Sequence, residues 1–235
     1  MSHVEQSAVR NRLLVSLPSA DFKRLAASLT PVNLSLKQFL VEADEPIGAA
    51  YFVETGIISY LHYLKGGEAQ ELGLIGSEGM LGLPIILGAD RAPVGAMVQL
   101  KGTALRIGPQ ALRQAFNQSE MLRTRLLRYM QAFHIQVSQT AVCNNHHTLE
   151  ERLIRWLLMA HDRAGNDRFS MTHEFMSLML GVRRAGVSVT AGALKHAGLI
   201  HYAKGCVTVL DRPGLEAAAC ECYGNVHRHC EQLRG

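Results

Sequence analysis

The stretch MLGVRRAGVSVTAGALK, Met179 to Lys195, decides how the whole chain is read. An apolar run ends at a glycine, two arginines follow, and small and apolar residues then recur at helical spacing. Upstream, Thr172 is placed to cap a first helix whose Phe175, Met176, Met179 and Leu180 share one face. Gly181 supplies the positive φ of a sharp turn without steric cost. A second helix begins near Arg183, and Val187, Thr190, Ala191 and Leu194 turn inward at i, i+3, i+4 and i+7. At about 100° per residue the opposite face carries Ala185, Ser188, Val189 and Gly192, with Arg184 at its edge.

The flanking segments extend this helix-turn-helix. LEERLIRWLLMAHDR before it is an amphipathic helix, and LIHYAKGCVTVLD after it reads as a β-hairpin. Three helices followed by a hairpin are the order of a winged helix-turn-helix. Further upstream, Ser119 is placed to cap EMLRTRLLRYMQAFHIQVSQTAV, which contains neither proline nor glycine. Leu122, Leu126, Tyr129, Phe133 and Val137 form one apolar track, and Leu127, Met130, His134, Val137 and Ala141 a second. Steps of three and four over several heptads suit a coiled-coil seam. Leu122, Leu126, Tyr129, Met130, Phe133 and Val137 are therefore expected at a subunit interface. The two stripes would also allow the helix to pack on its own β-domain.

The N-terminal half has a different texture. Residues 7–28 read as short helices, with Ser19 as an N-cap. VNLSL, YFVETGIISYLHYL, AQELGLIG and MVQLKGTALRI are β-rich, and the ETG, KGGE, GSEG and KG stretches read as turns that cut them. Many short strands over about 80 residues indicate a β-sandwich or small barrel. The fold class is α+β. Domains are expected at 1–116 (β-roll), 117–145 (long helix) and 146–235 (winged helix-turn-helix with a Cys/His-rich tail).

The chain has 235 residues, 48 % of them hydrophobic and 19 % charged, as expected of a globular protein able to bury a core. No apolar run approaches the roughly 18 residues of a membrane span, and MSHVEQSAVRNR has no apolar signal core. Five unevenly spread cysteines form no disulfide framework, so a reducing cytoplasm is the expected setting. The net charge of +4 permits nucleic-acid binding without demanding it. Eight of eleven histidines lie at residue 146 or beyond, which marks the C-terminal third as a separate unit.

A helix in the DNA major groove uses its N-terminal residues and outer face. Arg184 is placed to donate two bonds to guanine O6 and N7, Ser188 to bond a base or phosphate, and Val189 to touch a thymine methyl. Arg183 and Lys195 suit phosphates, and Lys204 suits a phosphate contact from the tip of the wing.

Taken together, YFVETGIIS, HHTLEERLIRWLL, MLGVRRAGV and GLIHYAKG in this order resemble the Crp/Fnr family of bacterial transcription regulators, from Leu13 to about Tyr223. The resemblance implies a cyclic-nucleotide-binding-like β-roll, a homodimer joined by the long helix, a palindromic DNA site and an effector or redox signal. It leaves RNA polymerase open as a further partner. In cyclic-AMP-binding members a Gly-Glu-Leu and a later Arg-Ser or Arg-Thr hold the ribose and the phosphate. Here Gly82 and Arg91 remain, but Leu83 and Ala92 replace the glutamate and the hydroxyl residue. Leucine cannot accept from a ribose hydroxyl, and an unpaired buried hydroxyl costs about 1–3 kcal/mol. An effector other than cyclic AMP is therefore expected, and no cofactor is named by the sequence. Iron–sulfur sensing through an N-terminal cysteine cluster lacks ligands, because no cysteine precedes Cys143. Ala185 and Val189 stand where catabolite-activator-type members carry a glutamate and a second arginine, so the operator should differ from theirs.

The tail CECYGNVHRHC offers Cys220, Cys222, His227, His229 and Cys230 as soft-metal ligands or a redox pair. No clustered acid–base pair or nucleophile motif indicates an enzyme. The alternative to a regulator is a small-molecule-binding module whose helix-turn-helix serves protein contacts.

Overall fold

A computed structural model describes residues 4–66 and 68–232. The chain divides into two compact units, one of Met1–Tyr60 with Ile75–Gln131 and one of Leu61–Leu74 with Ala132–Gly235. The division runs through the long helix rather than at its ends.

The first unit opens with a 3-10 turn, Gln6–Ala8, and helices α1 (Arg12–Val15) and α2 (Ser19–Ala26). Ser19 is not the cap of α2. Pro18 is, with extended ψ and a carbonyl that accepts from Phe22 N at 3.0 Å, so Ser19 is already inside the helix. Fully buried Asn11 caps α1. Its Oδ1 accepts from Leu14 N, and its Nδ2 donates to Val53 O at 2.9 Å and Gly79 O at 2.8 Å.

The sheet comprises β1 (Thr30–Leu34), β2 (Phe39–Val41), β3 (Ala50–Tyr63), β4 (Ala69–Ile75), β5 (Met80–Leu81) and β6 (Gly95–Ile107). Its order is β1-β6-β3-β4, with β2 on β6 and β5 on β3. Phe52, Ile57, Ile58, Met80 and Ile85 are fully buried, the adjacent Ile57 and Ile58 on opposite faces of β3. Two expected turns are strand interior instead. Glu54-Thr55-Gly56 lies within β3 and Lys101-Gly102 within β6. A Cβ at Gly102 would stand 2.0 Å from Thr55 O, and one at Gly56, where φ is +85°, would stand 2.5 Å from Leu100 O. These glycines allow two backbones to approach closely. GSEG is a turn as read, closed by Gly79 N to Gly76 O at 3.0 Å. Gly67, within the KGGE stretch, lies outside the described residues.

Two short helices flank β6, α3 (Leu83–Ile86) before it and α4 (Pro109–Gln118) after it. Arg113 on α4 donates to the carbonyls of Ile85 and Ala89. The long helix α5 (Glu120–His146) starts at Ser119, whose Oγ accepts from Leu122 N at 3.0 Å. The first apolar track of α5 is used within the chain. Leu122, Leu126, Tyr129 and Phe133 are all buried. Tyr129 donates to Met80 O and covers Gly79, while the ring of Phe133 lies against Gly73. The expectation that these four meet a partner is corrected accordingly. Met130 and Val137 are half-buried, and Leu127 is 41 % exposed.

In the second unit, α6 (Leu149–Ala164) starts at a capping box between Thr148 and Glu151 and stops at Gly165 in the left-handed region. Strand β7 (Arg168–Ser170), helices α7 (His173–Leu180) and α8 (Arg184–His196), and strands β8 (Ile200–Ala203) and β9 (Cys206–Val209) follow. They form the expected winged helix-turn-helix, with a sheet of order β7-β9-β8. Two further helices, α9 (Arg212–Ala218) and α10 (Glu221–Gln232), close the chain. The buried stripe of α6, including Leu153, Trp156 and Leu157, packs with Val187, Ala191 and Leu194 of α8 in this unit's core. The 61–74 hairpin segment is tied into the same unit. Gln136 exchanges two hydrogen bonds with the Leu74 backbone, Trp156 Nε1 donates to Glu71 Oε1 at 2.7 Å, and Gln70 donates to Met179 O at 3.1 Å.

Candidate nucleic-acid interface

Helix α7 is capped as the sequence indicates, Thr172 Oγ1 accepting from Phe175 N at 3.1 Å. It ends at Gly181, where φ is +63° and a Cβ would stand 2.4 Å from Gln70 Oε1. Arg152 of α6 supports this turn by donating to Leu180 O and to Asn144 Oδ1. Burial lowers the pKa of its guanidinium.

Arg183 is the N-cap residue of α8 and Arg184 its first helical residue, both exposed, with no acidic side chain in the first turn. The positive end of the helix dipole and two cations therefore coincide. Val187, Ala191 and Leu194 are buried and Thr190 is half-buried, so the inward face matches the sequence reading. Outward lie Ala185, Ser188, Gly192 and Lys195, with Val189 75 % exposed. A large apolar side chain at that exposure is available to a thymine methyl. Lys204 sits in the β8–β9 turn with φ of +49°, at the tip of the wing.

Sequence reasoning missed one member of this surface. His173, the first residue of α7, stacks on Tyr202 of the wing with ring centroids 4.0 Å apart. Its Nδ1 lies 3.0 Å from Ser188 Oγ, and its backbone N donates to Tyr202 OH. Burial, and then the nearby Arg184 charge, hold its pKa below the usual histidine value. A histidine at N1 of a helix carries no sequence signal of a partner 15 residues away.

The residues expected at the effector site lie in the first unit. Gly82 precedes α3 with φ of +114°, and a Cβ there would stand 2.7 Å from that of Ala50. Leu83 begins α3 and is half-buried. Arg91 is exposed and spends Nη1 on Asp44 O at 2.6 Å. Ala92 is buried, with its N on Glu45 O and its O accepting from Asp44 N. Elsewhere in this unit Ser59 Oγ donates to Gln99 Oε1 at 2.6 Å, both residues buried, and Gln99 Nε2 has no partner among the described residues.

Of the five expected metal ligands, the structure gathers Cys220 and Cys222 and joins them to Cys143 and His147. His227 instead faces Glu231 at 4.0 Å, His229 is exposed, and Cys230 stands further along α10. Burial raises the thiol pKa of Cys143, and that of Cys220 to about 12.

Two family models match in tandem: the cyclic nucleotide-binding domain over residues 31–119 and the Crp-like helix-turn-helix domain over residues 151–218. The chain belongs to the Crp/Fnr family. Its helix-turn-helix is thus the DNA-binding module of a Crp/Fnr transcription regulator. Solved structures with the same fold include FixK2 from Bradyrhizobium japonicum, 17 % identical, covering 82 % of this chain and 98 % of that one, with TM-score 0.71. A Crp-family transcriptional regulator from Thermus thermophilus is 21 % identical, with coverage of 80 % and 96 % and TM-score 0.65. The c-di-GMP-responsive global regulator CLP of Xanthomonas campestris is 17 % identical, with coverage of 83 % and 100 % and TM-score 0.63. No curated protein matches the sequence. No helix among the described residues is long and apolar enough to cross a membrane.

Proposed function

We propose that this Crp/Fnr chain is a homodimeric, cytoplasmic, non-enzymatic regulator that binds a palindromic operator and responds to an effector other than cyclic AMP. The observation that carries the DNA-reading part is the start of α8, where Arg183 and Arg184 stand exposed beside the wing bearing Lys204. Arg184 reads a base, with Ser188 and Val189 as minor partners, while Arg183, Lys195 and Lys204 hold phosphates.

The dimer reading moves to the second track of α5. Leu127, Met130, His134, Val137 and Ala141 repeat in steps of three and four, and none is fully buried. The effector reading rests on Leu83 and Ala92, which offer neither an acceptor for a ribose nor a hydroxyl for a phosphate. The unpartnered Gln99 amide supplies a buried donor for an acceptor group on a different molecule.

The test is selection of bound genomic fragments, followed by affinity measured across salt concentrations. A palindromic consensus and a steep decline with salt are expected. Tight binding to a non-DNA partner with no DNA selected would favour the protein-contact alternative.

A further inference from the structure

Two pairs of side chains, more than 70 residues apart in sequence, converge in the second unit. Cys143 lies on the last turns of α5, and His147 one helical turn later in the two-residue joint before α6. Cys220 and Cys222 flank Glu221 at the start of α10. The ligand atoms of all four lie within 4.8 Å of one another. Cys143, Cys220 and Cys222 are buried, at 0 %, 7 % and 0 % exposure, and form a cluster of their own.

The distances discriminate among the uses of such a cluster. Cys143 Sγ and Cys220 Sγ are 3.8 Å apart, and Cys222 Sγ and His147 Nδ1 are 3.5 Å apart. A disulfide would need about 2.05 Å. A tetrahedron with zinc–sulfur bonds of about 2.3 Å and zinc–nitrogen bonds of about 2.0–2.1 Å has edges of about 3.8 Å between sulfurs and about 3.5 Å between sulfur and nitrogen. Two edges already have those lengths, and the widest closes by about 1 Å on binding.

The surroundings are those of an ion site. His147 turns Nδ1 toward the sulfurs and Nε2 toward Glu221 Oε2 at 3.3 Å, the carboxylate–histidine pairing that orients a ligating imidazole. Gln139 Nε2 donates to Cys222 Sγ at 3.0 Å. Arg155 is 4 % exposed and is bonded to Thr140 Oγ1 and Met159 Sδ; among the described residues it meets no carboxylate, and its Nε has no partner. A buried guanidinium needs an anion. Three thiolates and a neutral imidazole around a divalent ion carry one net negative charge, and the Arg155 charge already acts on Cys143.

We infer that Cys143, His147, Cys220 and Cys222 form a closed tetrahedral site for one soft divalent cation of the zinc type. With four protein ligands and no open position, the site is structural. It staples the start of α10 to the α5–α6 joint. The inference stands on these side chains alone and is independent of the DNA and effector readings.

The test uses the full chain purified without a histidine tag and read by elemental analysis and by cobalt(II) titration. About one zinc per chain is expected, along with the visible absorption of tetrahedral cobalt–thiolate. Stripping the metal should lower Tm by roughly 5–10 °C. Cys222→Ser and His147→Gln should lose the metal, His147→Cys should keep it, and Cys230→Ser and His229→Gln should be unaffected. If Cys222→Ser does not fold, the two substitutions at His147, which is less enclosed than the cysteines, still decide. Wild-type protein with neither zinc nor tetrahedral cobalt, with a Cys143–Cys220 disulfide, or with an iron–sulfur chromophore would overturn the inference. Loss of metal in the Cys230 or His229 variant would overturn the ligand set.

Discussion

His173 Nδ1 and Ser188 Oγ stand 3.0 Å apart, so a side chain of the reading helix is already held by the helix before it. The ring is fixed by stacking on Tyr202, and its cationic form is disfavoured first by burial and then by the Arg184 charge. Its folded pKa lies below its unfolded value of about 6.5. The unfolded chain therefore takes up the proton first, and stability is lost as pH falls below about 6.5 toward the folded value. Melting temperatures measured from pH 7.5 to pH 5 should fall more steeply for the parent than for His173→Gln. Parallel curves would remove the ring from this role.

Arg184→Ala should weaken specific DNA binding by about 1–3 kcal/mol and relax one base position. Lys204→Ala should weaken all sequences alike and reduce the slope of log affinity against log salt by about 1. Fluorescence anisotropy on the selected operator and on single-base variants separates the two outcomes.

The two tracks of α5 predict opposite phenotypes. Leu127→Asp and Val137→Asp should yield folded monomers in sedimentation velocity. Leu126→Ala should leave assembly intact and cost about 2–5 kcal/mol in denaturant unfolding, because Leu126 is fully buried in its own chain. A monomeric Leu126→Ala at full stability would reverse the assignment.

Gly102→Ala should destabilise the first unit by about 1–3 kcal/mol, because its Cβ would stand 2.0 Å from Thr55 O. Gly192→Ala on the exposed face of α8, with nothing within 4 Å, should be neutral or slightly stabilising. Chemical denaturation of the two variants measures the contrast.

The residues that sequence could and could not read differ in kind. The helix-turn-helix was legible because its signals are local: the Thr172 cap, the Gly181 turn and the spacing from Val187 to Leu194. The strands were legible for the same reason, but Gly56 and Gly102 were not. A glycine has one appearance in sequence whether it turns a chain or lets another backbone pass, and only the β3–β6 pairing distinguishes the two. The α5 tracks were both visible, yet nothing local says which one faces the chain's own sheet. The cysteine cluster shows the limit most plainly. Cys220 and Cys222 drew attention through neighbouring histidines, whereas the histidine and cysteine they meet lie more than 70 residues upstream.

The joint between α5 and α6 is short. Only His147 and Thr148 separate the two helices, and Thr148 is locked into the capping box with Glu151. Arg152 then spans from Asn144 to Leu180 across that joint. A hinge with so little slack behaves as a torsion shaft rather than a tether. A twist of the last turns of α5 would therefore be carried to the end of α7 through this arginine, or would break one of its two bonds.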